Sequence, residues 1–359
     1  MDIQGQNFGI EVEMTGLTRS RAAEIAASYF GTRSQYDGSY YGTYSVPDTQ
    51  GRSWKFMSDG SIDCQRREGR RKVFADGSHS VEMVSPICKY EDIETVQELI
   101  RKLRDEGGAF ANSSCGIHIH INAAPFDALH LRNLVNIMAA KEDMIYKALK
   151  VARGREVHYC KKIDPSFLQK LNQQKPTTRE QLKRLWYNGG DGSHTHYHNS
   201  RYRCLNLHSV FQKGTVEFRA FNGELHAGKI KAYIQFCLAI SAQALNQRSA
   251  SPTKTQSTNE KYTFRVWLLR LGMIGKEFET ARKHLLDHLE GCIAWKDPAQ
   301  AQRQKERLRA KREEAQAQRQ TAPEASNHPA QAEDTPNQMD ETPDQTEAQE
   351  EAPAFVMTM

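Results

Sequence analysis

Gly9-Ile10-Glu11-Val12-Glu13 alternates apolar and acidic residues. Residues i and i+2 of a strand share a face, so Ile10 and Val12 pack one way while Glu11 and Glu13 aim together the other way. Gly116-Ile117-His118-Ile119-His120-Ile121 repeats the device, with three isoleucines on one side and His118 and His120 opposite. Thr215-Val216-Glu217-Phe218-Arg219 repeats it again, setting Val216 and Phe218 against Glu217 and Arg219, and Val81-Glu82-Met83 adds one more carboxylate. Each strand alone reads as a solvated outer face, and Glu217 with Arg219 as a charge pair worth roughly 0.2–1 kcal/mol. Three such strands in one chain call for a common surface.

In one sheet, these strands gather Glu11, Glu13, Glu82, Glu217, His118, His120 and Arg219 on a single concave polar face. Four carboxylates crowded out of water repel one another, raising their pKa values or opening the sheet unless divalent cations neutralise them. Oxygen donors with few nitrogens suit Mg²⁺ or Mn²⁺, with nucleotide phosphates completing the coordination. The chain has no Walker loop and no dinucleotide glycine fingerprint, so any ATP it used would be mounted through metals on that sheet.

Working outward, helical spacing follows the first strand between Thr18 and Phe30, at Ala22, Ile25, Ala26 and Tyr29. Tyr36 to Ser61 reads as short strands and turns, and Lys72 to Ser85 as a further strand pair. Ile93, Val96, Leu99, Ile100 and Leu103 form one helical stripe closed by Gly107-Gly108. A helix over about Asp127 to Lys150 packs on the sheet through Leu131, Leu134, Val135 and Met138. Thr177 and Glu180 match a capping box for a short helix ending near Trp186, and the Gly/His-rich loop Gly189 to Asn199 reads as a lid. Arg203 to Phe221 reads as two strands turning at Lys213-Gly214, and helices follow over about Ala227 to Leu245 and Phe264 to Leu289.

The predicted organisation is a domain over residues 1–295, a charged extension over 296–320 in which any helix would be solvated, and an acidic tail over 321–359. Thr321 to Met359 carries nine acids and no Lys or Arg, so the +5 of the whole chain leaves the preceding portion at +14. That body favours polyanions such as ATP, an acidic peptide or nucleic acid. The tail is Pro/Glu/Gln/Asp/Thr-rich and cannot bury enough apolar surface to offset its ordering entropy, so disorder is expected there. Seven scattered cysteines without a C-x-x-C pair read as free thiols in a reducing compartment. No apolar run approaches the roughly 20 residues of a membrane span, and Met1-Asp2-Ile3-Gln4-Gly5-Gln6 lacks a signal-peptide pattern. A cytoplasmic protein is the expectation.

Taken in order, Phe8-Gly9-Ile10-Glu11-Val12-Glu13, Asp59-Gly60-Ser61, Val81 to Pro86, Cys115 to Ile121, Arg201 to Asn206 and Thr215 to Gly223 resemble the motifs of the amidoligase family. That family is a branch of the glutamine synthetase and glutamate-cysteine ligase superfamily. The resemblance implies an α+β fold, a curved antiparallel glutamine-synthetase-like sheet flanked by helices, holding ATP and two or more Mg²⁺. It further implies that Glu11, Glu13, Glu82 and Glu217 are metal ligands, with His118 or His120 near the nucleotide phosphates. Arg219 then matches the arginine facing the transferred phosphoryl group, and Arg203 and Asn206 match an arginine and an asparagine before the last sheet strand, with Arg203 expected to bind the substrate carboxylate or phosphate and Asn206 to lie at the nucleotide. Asp59 matches the substrate-end acid, although Asp76-Gly77-Ser78 copies the same turn sequence. The implied activity joins a carboxylate of glutamyl or peptide type to an amine, which could belong to a protein or peptide, through an acyl phosphate. The separate N-terminal domain of glutamine synthetase has no counterpart here, which leaves its ring-shaped assembly and ammonia site without support.

Two rival readings remain at this stage. Gly116-x-His118-x-His120 resembles the start of a cupin motif but lacks the carboxylate that should follow it. A basic nucleic-acid-binding or scaffold protein would use the body's positive charge, though the inward-facing acids oppose that use of the sheet. His194, His196 and His198 could suggest zinc, but in a Gly/Ser-rich loop they read equally as a substrate cover.

Overall fold

The computed structural model describes residues 1–321. From residue 322 onward, the tail expected to be disordered lies outside the described residues. The chain divides into two units, Met1–Lys305 and Glu306–Met359.

The first strand, β1 (Phe8–Met14), is followed by α1 (Arg19–Phe30), where Thr18 caps the start and Gly31, at φ 69°, ends it. Next come the strands β2 (Gln35–Tyr36), β3 (Tyr44–Pro47) and β4 (Ser53–Met57), the hairpin β5 (Gln65–Glu68) and β6 (Arg71–Phe74), and β7 (Val81–Val84). The helix α2 (Ile93–Asp105) buries all five residues of its apolar stripe. After it lie β8 (Gly116–Asn122), α3 (Ala128–Ala148), α4 (Arg153–His158), α5 (Pro165–Gln174) and α6 (Arg179–Trp186). The chain then forms β9 (Leu205–Asn206), α7 (His208–Gln212), β10 (Thr215–Asn222), α8 (Ala227–Asn246), α9 (Glu260–Arg270), α10 (Glu279–Leu286) and α11 (Pro298–Thr321). In α11 the described side chains are exposed, as its lack of an apolar stripe predicts.

Eight strands form one antiparallel sheet in the order β2-β3-β4-β7-β1-β8-β10-β9, and β5 pairs only with β6. The period-two pattern decides which face is covered. Ile10, Val12, Val81, Met83, Ile117, Ile119, Ile121, Val216 and Phe218 are all buried in the core. α8 is apolar around most of its circumference and packs on α2, α3, α10 and β8, so the helices seal that face. The sheet is open, with β2 and β9 at its edges, which removes the cupin-like barrel reading. None of the seven cysteines is in a disulfide, and no described helix is long and apolar enough to cross a membrane.

Four local expectations are corrected. Lys72 to Ser85 does hold strand residues, but β6 and β7 belong to different sheets. The strand before Lys213-Gly214 shrinks to two residues because the Asn206 side chain accepts the His208 N–H at 2.9 Å and starts α7. The long helix over Phe264 to Leu289 breaks into α9 and α10 at Gly272 and Gly275, both at positive φ. The capping box sits one residue later than read: Thr178 caps α6, and Gln181 closes the box.

A buried ionic grip fastens the β3–β4 hairpin to the turn before α2. The Arg52 guanidinium donates to Asp48 at 2.8 Å and to both oxygens of Asp92 at 2.7 and 2.8 Å. The hydrogen bond from Arg52 holds the Asp92 carboxyl below its ordinary value. Burial works against ionisation of Asp48, yet the backbone N–H groups of Arg52 and Gln50 and the guanidinium outweigh it. Arg52→Met should therefore cost about 2–3 kcal/mol near neutral pH, because it strands two buried carboxylates. Both acids are depressed in the folded state, so this contribution is present above their ordinary value of 3.8 and fades as pH falls through the folded values. Urea unfolding of both proteins at several pH values should show the gap shrinking on acidification.

Candidate functional site

Antiparallel register brings the polar residues side by side. Glu13 lies opposite Glu82, Glu11 opposite His118, His120 opposite Glu217, and Glu217 opposite Asn206. All seven, with Arg219, stand on the face away from the helices, and Glu13, Glu82, His118, His120, Asn206, Glu217 and Arg219 are buried. A bulge in β10 sets the last of them. Phe218 faces Ile119 but Phe221 faces Ile117, so three steps along β10 match two along β8. Arg219 thus stays on the polar face while Phe221 returns to the core and stacks on Tyr233.

His118 Nδ1 lies 3.0 Å from Glu11 Oε2, and His120 Nε2 lies 3.3 Å from Glu11 Oε1. His120 Nδ1 is 2.9 Å from the Thr215 hydroxyl. The Gly116 N–H donates to Glu13 Oε2 at 2.6 Å. Arg219 is ion-paired with Glu217, whose other oxygen accepts from Asn206 at 2.6 Å. Burial works to raise the Glu217 carboxyl, but Arg219, then His120 and His118, bring it down to about 2. Burial also opposes ionisation of Glu11, and is outweighed by His120, His118 and Lys213, which hold it well below the usual carboxylate range. Glu82 goes the other way: burial, then the charges of Glu11, Glu13 and Asp59, push it well above that range.

Three sets of donors lie close enough to share a cation: Glu11, Glu82 and His118; Glu11, His120 and Glu217; and Glu13, Asp59 and Glu82. In each set the donor atoms fall within 4.8 Å of one another. Glu11 and Glu82 each belong to two sets, so neighbouring cations would share a bridging carboxylate. An oxygen-rich donor set with one nitrogen or none fits a hard divalent ion.

Of these residues Glu11, Glu13, Asp59, Glu82 and His118 line a cleft of about 550 Å³. Asp59 lines it, its Oδ1 accepting from the Ser61 N–H and hydroxyl, whereas Asp76 is an exposed cap of a short turn. Lys55 and Tyr41 form one wall, and His196, Tyr197, Arg201 and Tyr202 another. The Tyr41 and Tyr197 hydroxyls meet at 3.2 Å. The histidine loop thus covers the cleft, but its histidines diverge. His194 is exposed, His196 faces the cleft, and His198 stacks on His208. Beyond Glu11 and Lys213 the cleft continues into a more apolar compartment of about 340 Å³, lined by Gly9, Val84, Pro86, Ile87 and His120.

Arg203 is not brought to the cleft. Its guanidinium donates to the Lys162 carbonyl at 2.8 Å and to Asp164 at 3.0 Å, and it lines a separate cavity with Trp186 and His198. The cation that sequence reading missed is Arg155, from the six-residue α4. It is 4% exposed, lines the cleft, and makes no ion pair with any described carboxylate; its Nε is buried without a partner. Its guanidinium lies against Gly116, where a Cβ would come within 2.2 Å of Nη2. The only sequence trace of this contact was an invitingly bare Gly116 before the His-x-His strand.

Comparisons with known proteins add a family. Among curated proteins none matches the chain. Among solved structures, a bifunctional glutathione synthetase from Pasteurella multocida is similar at 12% identity and a TM-score of 0.36, over 80% of this chain and 48% of that one. The chain thus spans about half the length of that enzyme. The model of the family described as "putative amidoligase enzyme" matches residues 4–241. That match takes in every strand and all the residues of the floor: the chain belongs to the amidoligase family.

Proposed function

We propose that this amidoligase is an ATP-dependent carboxylate–amine ligase that works through an acyl phosphate. The observation that carries the proposal is the meeting of Glu11, Glu13, Glu82 and His118 with the buried cations Arg155 and Arg219 in one cleft, with His120 and Glu217 completing a donor set on Glu11. Glu11, Glu13, Glu82 and Glu217, with His118 or His120 and with Asp59 at one end, are assigned to Mg²⁺ or Mn²⁺. Bound there, the metals would screen phosphate charge as Lewis acids.

A carboxylate resists amines because its oxygen is a poor leaving group. The γ-phosphoryl of ATP passes to a carboxylate oxygen and ADP leaves. The amine nitrogen then attacks the carbonyl carbon, the C–O bond to phosphate breaks, and the nitrogen gives up a proton. Arg219 is assigned to the transferring phosphoryl group, held in line by Glu217, and Asn206 fixes Glu217. Arg155 has a charge and no acid to spend it on, which suits an oxyanion of the substrate or nucleotide. The apolar compartment beside Pro86 and Ile87 suits the adenine ring. A carboxylate of glutamyl or peptide type and an amine acceptor complete the proposal. A nucleic-acid role has less to recommend it, since the cleft floor is acidic.

Two experiments test this. Mn²⁺ should raise the melting temperature of the wild-type protein, by roughly 2.7 kcal/mol of stabilisation at a hundredfold excess over Kd. Glu82→Gln should lose most of that gain yet be no less stable in EDTA, since Gln mimics the protonated acid that its surroundings favour. In Mg²⁺ and ATP, carboxylate and amine pools should release ADP and yield a product lighter by one water than its two parts. Glu13→Ala should abolish this turnover, and Arg155→Gln should slow it by roughly 10²–10³-fold without unfolding, because no acid is left unpaired. Normal ATP consumption by Glu13→Ala would end the ligase reading.

A further inference from the structure

The β5–β6 hairpin carries Arg66, Arg67, Arg70, Arg71 and Lys72 against the single acid Glu68, all exposed. Its two-residue turn holds Gly69 at φ 59°. Arg67 and Lys72 stand directly opposite each other on one face, and like charges so placed destabilise a strand pair. Both lie over the Phe110 ring, at 5.1 and 4.3 Å, which offsets part of that repulsion. Charge on a free strand edge ordinarily blocks pairing between copies. A facing Arg–Lys pair costs more than that purpose needs. Phe74 at the end of β6 is 86% exposed, and among the described residues β6 makes no backbone hydrogen bond beyond the hairpin.

The hairpin is rooted in the rim of the cleft. The Gln65 carbonyl accepts from the Gly16 N–H at 2.9 Å and the Thr15 hydroxyl at 2.8 Å, just past Glu13. The Asp63 N–H donates at 2.8 Å to Ser114, which lines the cleft, and Asn112 donates at 2.8 Å to the Asp63 carbonyl.

We infer that this hairpin docks an acidic polypeptide segment in extended form beside the cleft. The free edge of β6 offers main-chain hydrogen bonds to an added strand, and the flanking cations meet carboxylates on alternate side chains. An extended segment advances about 3.3 Å per residue, so four residues span the hairpin. A nucleic acid could use the charge but not the strand edge, and the hairpin's one exposed ring is no stacking platform for bases. The docking itself stands apart from the ligase reading; that the docked chain supplies the carboxylate to be activated rests on it.

The test is fluorescence anisotropy of a labelled decaglutamate peptide with the full chain at low salt, alongside an oligothymidylate of equal charge. The triple variant Arg66→Glu, Arg70→Glu, Arg71→Glu should lose at least tenfold in peptide affinity while keeping the Mn²⁺-induced thermal shift of the wild type, which shows the cleft intact. Absence of peptide binding, equal affinity in wild type and variant, or tighter binding of the oligothymidylate than of the peptide would overturn the docking site. Failure of ATP turnover on every substrate would instead strike the ligase reading and leave the peptide result standing.

Discussion

Glu217 is buried beside Arg219, and the layout of the cleft follows from what it takes to keep acids out of water. The two carboxylates held low there have a cation or histidine as lateral neighbour: Arg219 for Glu217, His118 and His120 for Glu11. Among the described residues Glu82 makes no ion pair, and its burial, then the charges of Glu11, Glu13 and Asp59, drive it toward the neutral form. Antiparallel pairing makes this possible, because residues directly opposite share a face and stand close enough for charges to act. The apolar side supplies the free energy. Isoleucines of β8 and the many buried apolar residues of α8 bury enough surface to hold in place a polar face that favours its own separation.

Much of this was legible because strand parity is strict. Glu11 with Glu13 and His118 with His120 had to share faces once Ile10, Val12 and the three isoleucines of β8 were assigned to the core. The order of strands was not legible from parity, yet the pairing of β1 with both β7 and β8 is what turns four separate patterns into one floor. Arg155 escaped because a six-residue helix has no period to read and its meaning lies in a contact with Gly116, 39 positions away. Arg203 misled for the converse reason. It lies in a matching motif, but a nearby helix cap, Asp164, takes its charge. The capping box and the β9–α7 junction were missed by a residue or two, where competing side chains, Gln181 and Asn206, decide the boundary.

The walls differ from the floor in kind. The floor is regular sheet with fixed register, whereas Tyr41, His196, Tyr197, Arg201 and Tyr202 come from connecting segments whose ends carry glycines at positive φ, such as Gly42 and Gly189. A floor of this kind suits shared chemistry, and walls of this kind suit the choice of partner. The cleft thus places all its metal-capable donors but Asp59 on the regular sheet, and its tyrosine hydroxyls and the Arg201 guanidinium on the connecting segments.

His118 stands 107 positions from Glu11, while Asn206 is only 11 from Glu217. The floor is therefore assembled from the two far ends of a long stretch of chain. During synthesis the acids of β1 and β7 leave the ribosome first, the histidines of β8 next and Arg219 last. Two of the three donor sets, Glu11 with Glu82 and His118 and Glu13 with Asp59 and Glu82, lie wholly before β10, so the emerging chain can form them first, and the last strand adds Glu217 and the guanidinium of Arg219.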